Sequence, residues 1–262
     1  MIKIMKTRIA QRRRTVKYPK QAPVLPERFI GLPAIAAARC AGTCSACIQA
    51  CPVQAVQRFQ GAIALDLGKC IFCGACARLC PEKAIAFTAN HAMAVRARSD
   101  LLHSGTGDFR HAQPLEPERR RLFHRSLRLR QVSAGGCNAC EADVNVLNTV
   151  VFDLSRFGIQ FVASPRHADG LLVTGPVTRN MELALRKTYD ATPEPKIVIA
   201  AGACAVSGGM FAGHPEAHSG VDELLPVDLY IPGCPPHPYT ILDGLLRLLG
   251  RGERAKIGKQ RQ

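Results

Sequence analysis

Two batches of cysteine in one short stretch constrain this chain more than any other feature. Residues 40–52 read CAGTCSACIQACP and residues 70–81 read CIFCGACARLCP. Cys44, Cys47 and Cys51 recur as Cys73, Cys76 and Cys80 at a constant offset of 29, whereas Cys40 to Cys70 is 30. The stretch is an internal repeat, with one extra residue between Cys40 and Cys44. Both batches close on Cys-Pro, and the residues that follow agree as well, PVQAV against PEKAI. Cysteines spaced this closely and regularly form a metal-type pattern.

The second batch, Cys-x2-Cys-x2-Cys-x3-Cys-Pro, has the bacterial ferredoxin spacing for 4Fe–4S clusters. Each corner iron needs one protein sulfur, and close spacing lets a tight loop wrap the cube and aim backbone N–H groups at its sulfides. In two-cluster ferredoxins the fourth cysteine crosses to the other cluster. This assigns Cys40, Cys44, Cys47 and Cys80 to a first cluster, and Cys51, Cys70, Cys73 and Cys76 to a second. The extra residue either bulges a loop containing Gly42 or leaves Cys40 a poor ligand.

Three competing chemistries fit less well. Disulfides are not expected, since no secretory leader is evident and the pattern is of the metal type. Zinc is chelated by paired Cys-x2-Cys units, but does not need four cysteines in twelve residues and again in eleven. Cys40-x3-Cys44-x2-Cys47 is also the radical-SAM spacing. Against that reading, a fourth cysteine and a proline follow at once, the unit repeats, and too little chain follows for a barrel.

The chain has 262 residues and a formal net charge of +15. The charge lies in separate blocks, at the N-terminal arm, at 119–130 and at the C-terminal tail, and none is interleaved with stacking aromatics. Nucleic acid is therefore not an expected partner; solubility and docking to acidic neighbours are. No apolar run reaches membrane-spanning length. Twelve cysteines point to a reducing, cytoplasmic setting.

Five segments follow. Residues 1–32 form a basic, Pro-rich arm, whose first twenty residues hold eight Lys or Arg and no acid. The RRR run lacks the apolar stretch of a twin-arginine signal. A short basic helix on anionic lipid or a partner and a frayed solvated tail are the two readings. Residues 33–90 form the two-cluster module, with strands at 62–67 and 84–88. Residues 91–126 read as a linker, with His91, His103, His111 and His124 on its surface. Residues 127–250 turn α/β: strands at 127–133, 159–164, 170–176, 196–202 and 227–233, a helix from Glu141 to Phe157, a second around Met181, Ala184, Leu185 and Thr188 capped by Thr178 or Asn180, and a third from Pro238 to Gly250. Residues 251–262 are a basic tail. The fold class expected is α/β plus α+β: a ferredoxin-like module followed by a flavodoxin-like open parallel sheet with helices on both faces.

The other four cysteines all lie just past expected strands: Cys137 and Cys140, then Cys204, then Cys234. In open α/β sheets ligands gather outside the carboxyl ends of the strands. Four thiolates converging there make a third 4Fe–4S site, and Gly136, Gly202 and Gly233 would let backbone turn sharply and approach the cube. The plain alternative is four buried structural cysteines. His214-x3-His218 superficially suggests a metal pair, but Pro215 discourages the helix such a pair needs. No Walker loop or G-x-G-x-x-G points to a nucleotide.

The stretches GGCNACEADVNVLN, FVASPRHADGLLVTGPVTRNMELAL, GACAVSGGMF and YIPGCPPHP resemble the small subunit of membrane-bound energy-conserving NiFe hydrogenases of the formate-hydrogenlyase type. The same family includes the terminal-cluster (20 kDa) subunit of respiratory complex I, which has adjacent cysteines where this chain has Cys137-x2-Cys140. The front half, with TVKYPKQAPVLPERF, resembles the two-cluster ferredoxin subunit of the same complexes. The resemblance spans about residues 14–250, as if two subunits were fused.

It implies three 4Fe–4S clusters relaying electrons to a large catalytic partner subunit, NiFe hydrogenase-like or complex I-like. It further implies membrane subunits, an electron-donor protein, and a peripheral place on the cytoplasmic face of the inner membrane. No complete active site is expected on this chain. The family often carries Glu three positions after the second cysteine of the loop; here that residue is Asp143, and Glu141 follows Cys140 directly. Both are candidates for proton coupling or plain helix-start acids. Arg166 and His167 resemble the family's loop near the terminal cluster. The reading of another class is a cluster-stabilised scaffold without electron traffic.

Overall fold

The computed structural model describes residues 1–40, 42–105 and 107–252. Helix α1 (Ile2–Gln11) buries none of its residues. The cysteine-rich repeat gives β1 (Pro33–Ile35), α2 (Ala46–Gln49), β2 (Val56–Phe59), β3 (Ala62–Asp66), α3 (Ala75–Arg78) and β4 (Ile85–Phe87). Strand β1 pairs antiparallel with β4, and β2 antiparallel with β3. The two repeats therefore interlock, so that the end of each lies beside the start of the other. Strand β5 (Leu102–His103) extends the β2–β3 sheet, and α4 (Pro117–Phe123) buries Phe123.

The second half contains β6 (Leu127–Ser133), α5 (Ala139–Val146), β7 (Ile159–Phe161), β8 (Gly170–Thr174), α6 (Arg179–Asp190), β9 (Ile197–Ala201), α7 (Ala203–Ser207), β10 (Leu229–Ile231) and α8 (Pro238–Leu248). Its five strands are parallel, in the order β10-β9-β8-β6-β7. Counted within this half, that is the flavodoxin-like order, whose direction reverses between β6 and β8. Strands β8 and β9 are buried along their whole length, which is why they read as continuous apolar runs rather than alternating ones.

The sheet divides the core in two. Leu172, Ile199, Leu229 and Ile231 join α5 and α8 on one face. Leu171, Val173, Val198, Ala200 and Tyr230 join α6, α7 and the ferredoxin-like module on the other. The module thus shares a core with the sheet. Residues 91–126 help to fasten it: Val95 bridges Tyr230 at the β10 edge, and Arg98 grips Asp66 with two bonds of 2.9 and 2.8 Å. His91, His103 and His111 are half-buried in this packing, and only His124 is exposed.

The second half departs from the sequence expectations at element ends. The helix expected through Phe157 stops at Val146 and gives way to a 3-10 turn at Leu154–Phe157. The carbonyls of Val150 and Val151 are taken by Thr15 and Val16 of the N-terminal arm, and Asp153 turns left-handed at φ 48°. Thr178 precedes α6 without a side-chain capping bond, and Asn180 lies inside the helix. Strands β7 and β10 are shorter than the apolar runs that suggested them.

Candidate iron–sulfur centres

Each cysteine loop places its sulfurs by the same local device. After each Cys-Pro, Gln54 (φ 51°) and Lys83 (φ 48°) adopt left-handed backbone at positions 29 apart. The chain turns back, and the next amide donates to the cysteine sulfur: Ala55 N–H to Cys51 Sγ and Ala84 N–H to Cys80 Sγ, both at 3.2 Å. Phe72 N–H donates to Cys70 Sγ at 3.3 Å. Each of these N–H groups aims the positive end of its dipole at a sulfur. The equivalent carbonyls of Cys44 and Cys73 each accept from an arginine, Arg58 and Arg78, although these two arginines stand at different places in the repeat.

Cys40, Cys44, Cys47 and Cys80 line one cavity. Cys51, Cys70, Cys73 and Cys76 line another, walled by Val56, Leu65 and Phe87. In each, three cysteines of one batch meet the last cysteine of the other. Cys40 takes part despite the extra residue, with Gly42 left-handed beside it (φ 70°). None of the twelve cysteines is in a disulfide. Among the described residues, no three His, Cys, Asp or Glu side chains close on a point as around a single ion; the sulfurs surround spaces instead.

Cys137 and Cys140 follow β6, Cys204 lies in α7 just past β9, and Cys234 follows β10. Their charges act on one another: Cys140 is pushed up to about 12 by burial first, and then by Glu141, Cys204, Cys234 and Cys137. Cys204 is pushed up to about 11 by burial first, then by Cys234 and Cys137. Glycines make room here. A Cβ on Gly202 (φ 95°) would stand 2.6 Å from Cys140 Sγ, and one on Gly209 (φ 56°) 2.9 Å from Cys204 Sγ. Cys137 and Cys234 are exposed, so this group opens to the surface.

Burial likewise pushes Cys70 up to about 12 and Cys76 up to about 11. Thiols this reluctant to ionise alone suit a cationic iron, which reverses the balance by supplying the opposite charge. The donor sets therefore fit iron–sulfur clusters.

The middle group adjoins the other two. Cys47 contributes to the upward push on Cys76, which sets the first and second groups side by side. Toward the third, Ile71 and Phe72, between two cysteines of the second group, line a cleft of about 300 Å³ with Cys234. Ser207 of α7 donates to the Gly68 carbonyl at 2.9 Å.

Glu141 is buried where the sheet order reverses. Its Oε1 accepts from Ser133 Oγ at 2.7 Å and Thr174 Oγ1 at 2.6 Å, the last residues of β6 and β8. Burial pushes its carboxyl up, and these two bonds more than offset that, leaving it below its ordinary value. The two hydroxyls carried no signal in the sequence beyond their place at strand ends. Asp143 lines the cleft beside Cys234 and is pushed up by burial. Arg166 and His167 are exposed on a 3-10 turn. His214 and His218 do not meet as a metal pair: His218 bonds Glu182 and Glu223, while His214 accepts from the Glu216 amide.

A parallel sheet of flavodoxin order with cysteines at its carboxyl edge, sharing a core with a two-cluster module, defines an iron–sulfur oxidoreductase subunit. Residues 137–248 match the family of the NADH ubiquinone oxidoreductase 20 kDa subunit, and residues 39–85 match the 4Fe–4S dicluster domain. The chain is 46% identical to the "Probable membrane-bound hydrogenase subunit mbhJ" of Pyrococcus furiosus, over 45% of this chain and 71% of that protein. It is 47% identical to formate hydrogenlyase subunit 7 of Escherichia coli, over 48% of this chain and 49% of the relative. It is also 47% identical to an NADH-quinone oxidoreductase subunit from Geotalea uraniireducens, over 48% of this chain and 71% of the relative. The chain belongs to the 20 kDa subunit family, with a 4Fe–4S dicluster domain ahead of the family region.

Proposed function

We propose that this chain is an electron relay holding three 4Fe–4S clusters in series, which serves a large catalytic subunit of a membrane-bound, hydrogenase-type complex. The reading is supported most by the two cavities lined by four cysteines each, with Cys137, Cys140, Cys204 and Cys234 near enough for their charges to act on one another. Cys40, Cys44, Cys47 and Cys80 hold the first cluster, Cys51, Cys70, Cys73 and Cys76 the second, and Cys137, Cys140, Cys204 and Cys234 the third. The bacterial ferredoxin spacing of Cys70, Cys73, Cys76 and Cys80, and the match of residues 39–85 to the 4Fe–4S dicluster domain, support cubes over zinc.

Bound clusters supply one-electron chemistry at potentials set by hydrogen bonds, burial and nearby charge. This chain's own residues supply those settings. The amides of Ala55, Ala84 and Phe72 neutralise part of the charge on three sulfurs. The buried carboxylate of Glu141, fixed by Ser133 and Thr174, places negative charge beside Cys140. Val56, Leu65 and Phe87 wall the second group on its buried side, at Cys70 and Cys76, while Cys73 is exposed.

The exposed edge at Cys137 and Cys234 is the face offered to the large subunit, with the donor protein and membrane subunits completing the complex on the cytoplasmic side. The Cys137-x2-Cys140 spacing favours a hydrogenase partner; a complex I-like partner is the second reading. The test is co-purification with the large subunit, followed by anaerobic reductive titration monitored by electron paramagnetic resonance. Three reversible signals, one of them lost in Cys204→Ser together with electron delivery to the partner, are expected. Clusters that cannot be reversibly reduced would leave a scaffold and end the relay reading.

A further inference from the structure

Helix α1 is amphipathic yet packs against nothing. Ile2, Met5 and Ile9 fall at i, i+3 and i+7, on one face of a helix with 3.6 residues per turn. They are 72, 61 and 74% exposed. Lys3 and Lys6 flank this face on one side and Arg8 on the other. Arg12, Arg13 and Arg14 follow directly, and no acid occurs in the first twenty residues. In water a bare stripe of this kind has no compensating contact, and each side chain forgoes its burial free energy.

The helix is also tethered at a defined place. Thr15 Oγ1 donates to the Val150 carbonyl at 2.9 Å, and Val16 N–H to that of Val151 at 2.8 Å. Arg156 Nη1 donates to the Val16 carbonyl at 2.7 Å. Tyr18 is buried, with its hydroxyl donating to Asp243 Oδ1 at 2.7 Å. Val150 and Val151, the residues that receive the arm, are themselves 71 and 41% exposed. An apolar spot on the body therefore lies beside the anchor of an apolar, purely basic helix.

We infer that α1 and Val150–Val151 form one surface that lies on an anionic lipid bilayer. The apolar face of α1 enters the acyl boundary, and the flanking lysines and arginines meet lipid phosphates. The charge decides the occupant: an arm with basic groups alone complements an anionic headgroup layer, not a neutral one. This contact is made by the chain itself, without membrane subunits. It does not rest on the electron-relay reading, because lipid binding and cluster content are scored separately.

The chain has no tryptophan, so one introduced indole reports its own surroundings. In the full, anaerobically prepared chain, Met5→Trp places the reporter on the apolar face and Thr7→Trp on the opposite face. With vesicles of phosphatidylglycerol and phosphatidylcholine, the Met5→Trp emission should shift to the blue and the Thr7→Trp emission should not. Vesicles of phosphatidylcholine alone should give no shift, and added salt should reverse the one seen. Lys3→Gln, Lys6→Gln and Arg8→Gln should each weaken sedimentation with anionic vesicles by about fivefold. Ile2→Asn with Ile9→Asn should abolish it while cluster content stays unchanged. No sedimentation with anionic vesicles, equal shifts at both reporter positions, or equal binding to neutral vesicles overturns the inference; binding only to a partner protein does so too.

Discussion

Gly68→Ala tests how the ferredoxin-like module is seated against the sheet. A Cβ at this position would stand 2.7 Å from Arg98 Cζ and 2.8 Å from Val206 Cγ1. Neither neighbour yields easily. The Arg98 guanidinium is held by both oxygens of Asp66, and Val206 is 1% exposed in α7. The backbone at Gly68 also receives the Ser207 hydroxyl, so the seam opens as the methyl group is accommodated. Overpacking of this kind costs about 1–3 kcal/mol, which lowers Tm by about 2–12 °C for a chain of this size.

The assay is thermal unfolding of the anaerobic holoprotein, alongside the rate of electron transfer from the second site to the third after rapid reduction. The account expects a lower Tm and slower transfer, with both partly restored by adding Val206→Ala, since residues in contact are non-additive. Unchanged Tm and unchanged transfer in Gly68→Ala would refute the close seam. A loss not relieved by Val206→Ala would refute the named contact.

Further outcomes follow from individual contacts. Cys80→Ser should alter the signal of the site built by Cys40, Cys44 and Cys47, and Cys51→Ser that of the site built by Cys70, Cys73 and Cys76, as read by electron paramagnetic resonance; the uncrossed pattern would contradict the assignment. Tyr18→Phe removes the hydroxyl that donates to buried Asp243 and should cost about 1.5–3 kcal/mol, measured as a lower urea midpoint. His103 and His111 are held below their ordinary value of 6.5, by burial first. Their neutral forms are thus favoured in the fold, so stability is full above pH 6.5 and falls as pH drops toward the depressed values. Each contributes a slope of at most about 1.4 kcal/mol per pH unit. His111→Leu should flatten that dependence in urea titrations at several pH values, the more readily because the buried His111 Nδ1 has no hydrogen-bond partner among the described residues.

Much of this was legible in the residues. The runs at 170–174 and 197–201 are apolar along their whole length because both sheet faces are covered, and such runs announce buried parallel strands. The parallel sheet does set Cys137, Cys140, Cys204 and Cys234 past the ends of β6, β9 and β10, as their place in the sequence implies, since every parallel strand points the same way. The repeat of left-handed turns at Gln54 and Lys83 is written in PVQAV and PEKAI.

What stayed hidden depends on distant partners. Helix α5 itself closes locally, where the amides of Leu147, Asn148 and Thr149 turn back to the carbonyls of Val144, Asn145 and Val146 and Thr149 Oγ1 adds a bond to the last. What the residues do not announce is that the next carbonyls, Val150 and Val151, go to the arm 135 residues away. Ser133 and Thr174 gain meaning only when β6 and β8 lie side by side with Glu141 over their ends. His91, His103 and His111 read as surface residues in a linker until the module packs on the sheet and half-buries them.

The central claim is tested most directly by chemical analysis of iron and acid-labile sulfide, with zinc measured in parallel, on the anaerobically purified full chain. The account predicts four irons and four sulfides for each of three sites, with one site's complement lost in Cys204→Ser. Iron for only two sites, zinc in place of iron, or no change in Cys204→Ser would contradict it.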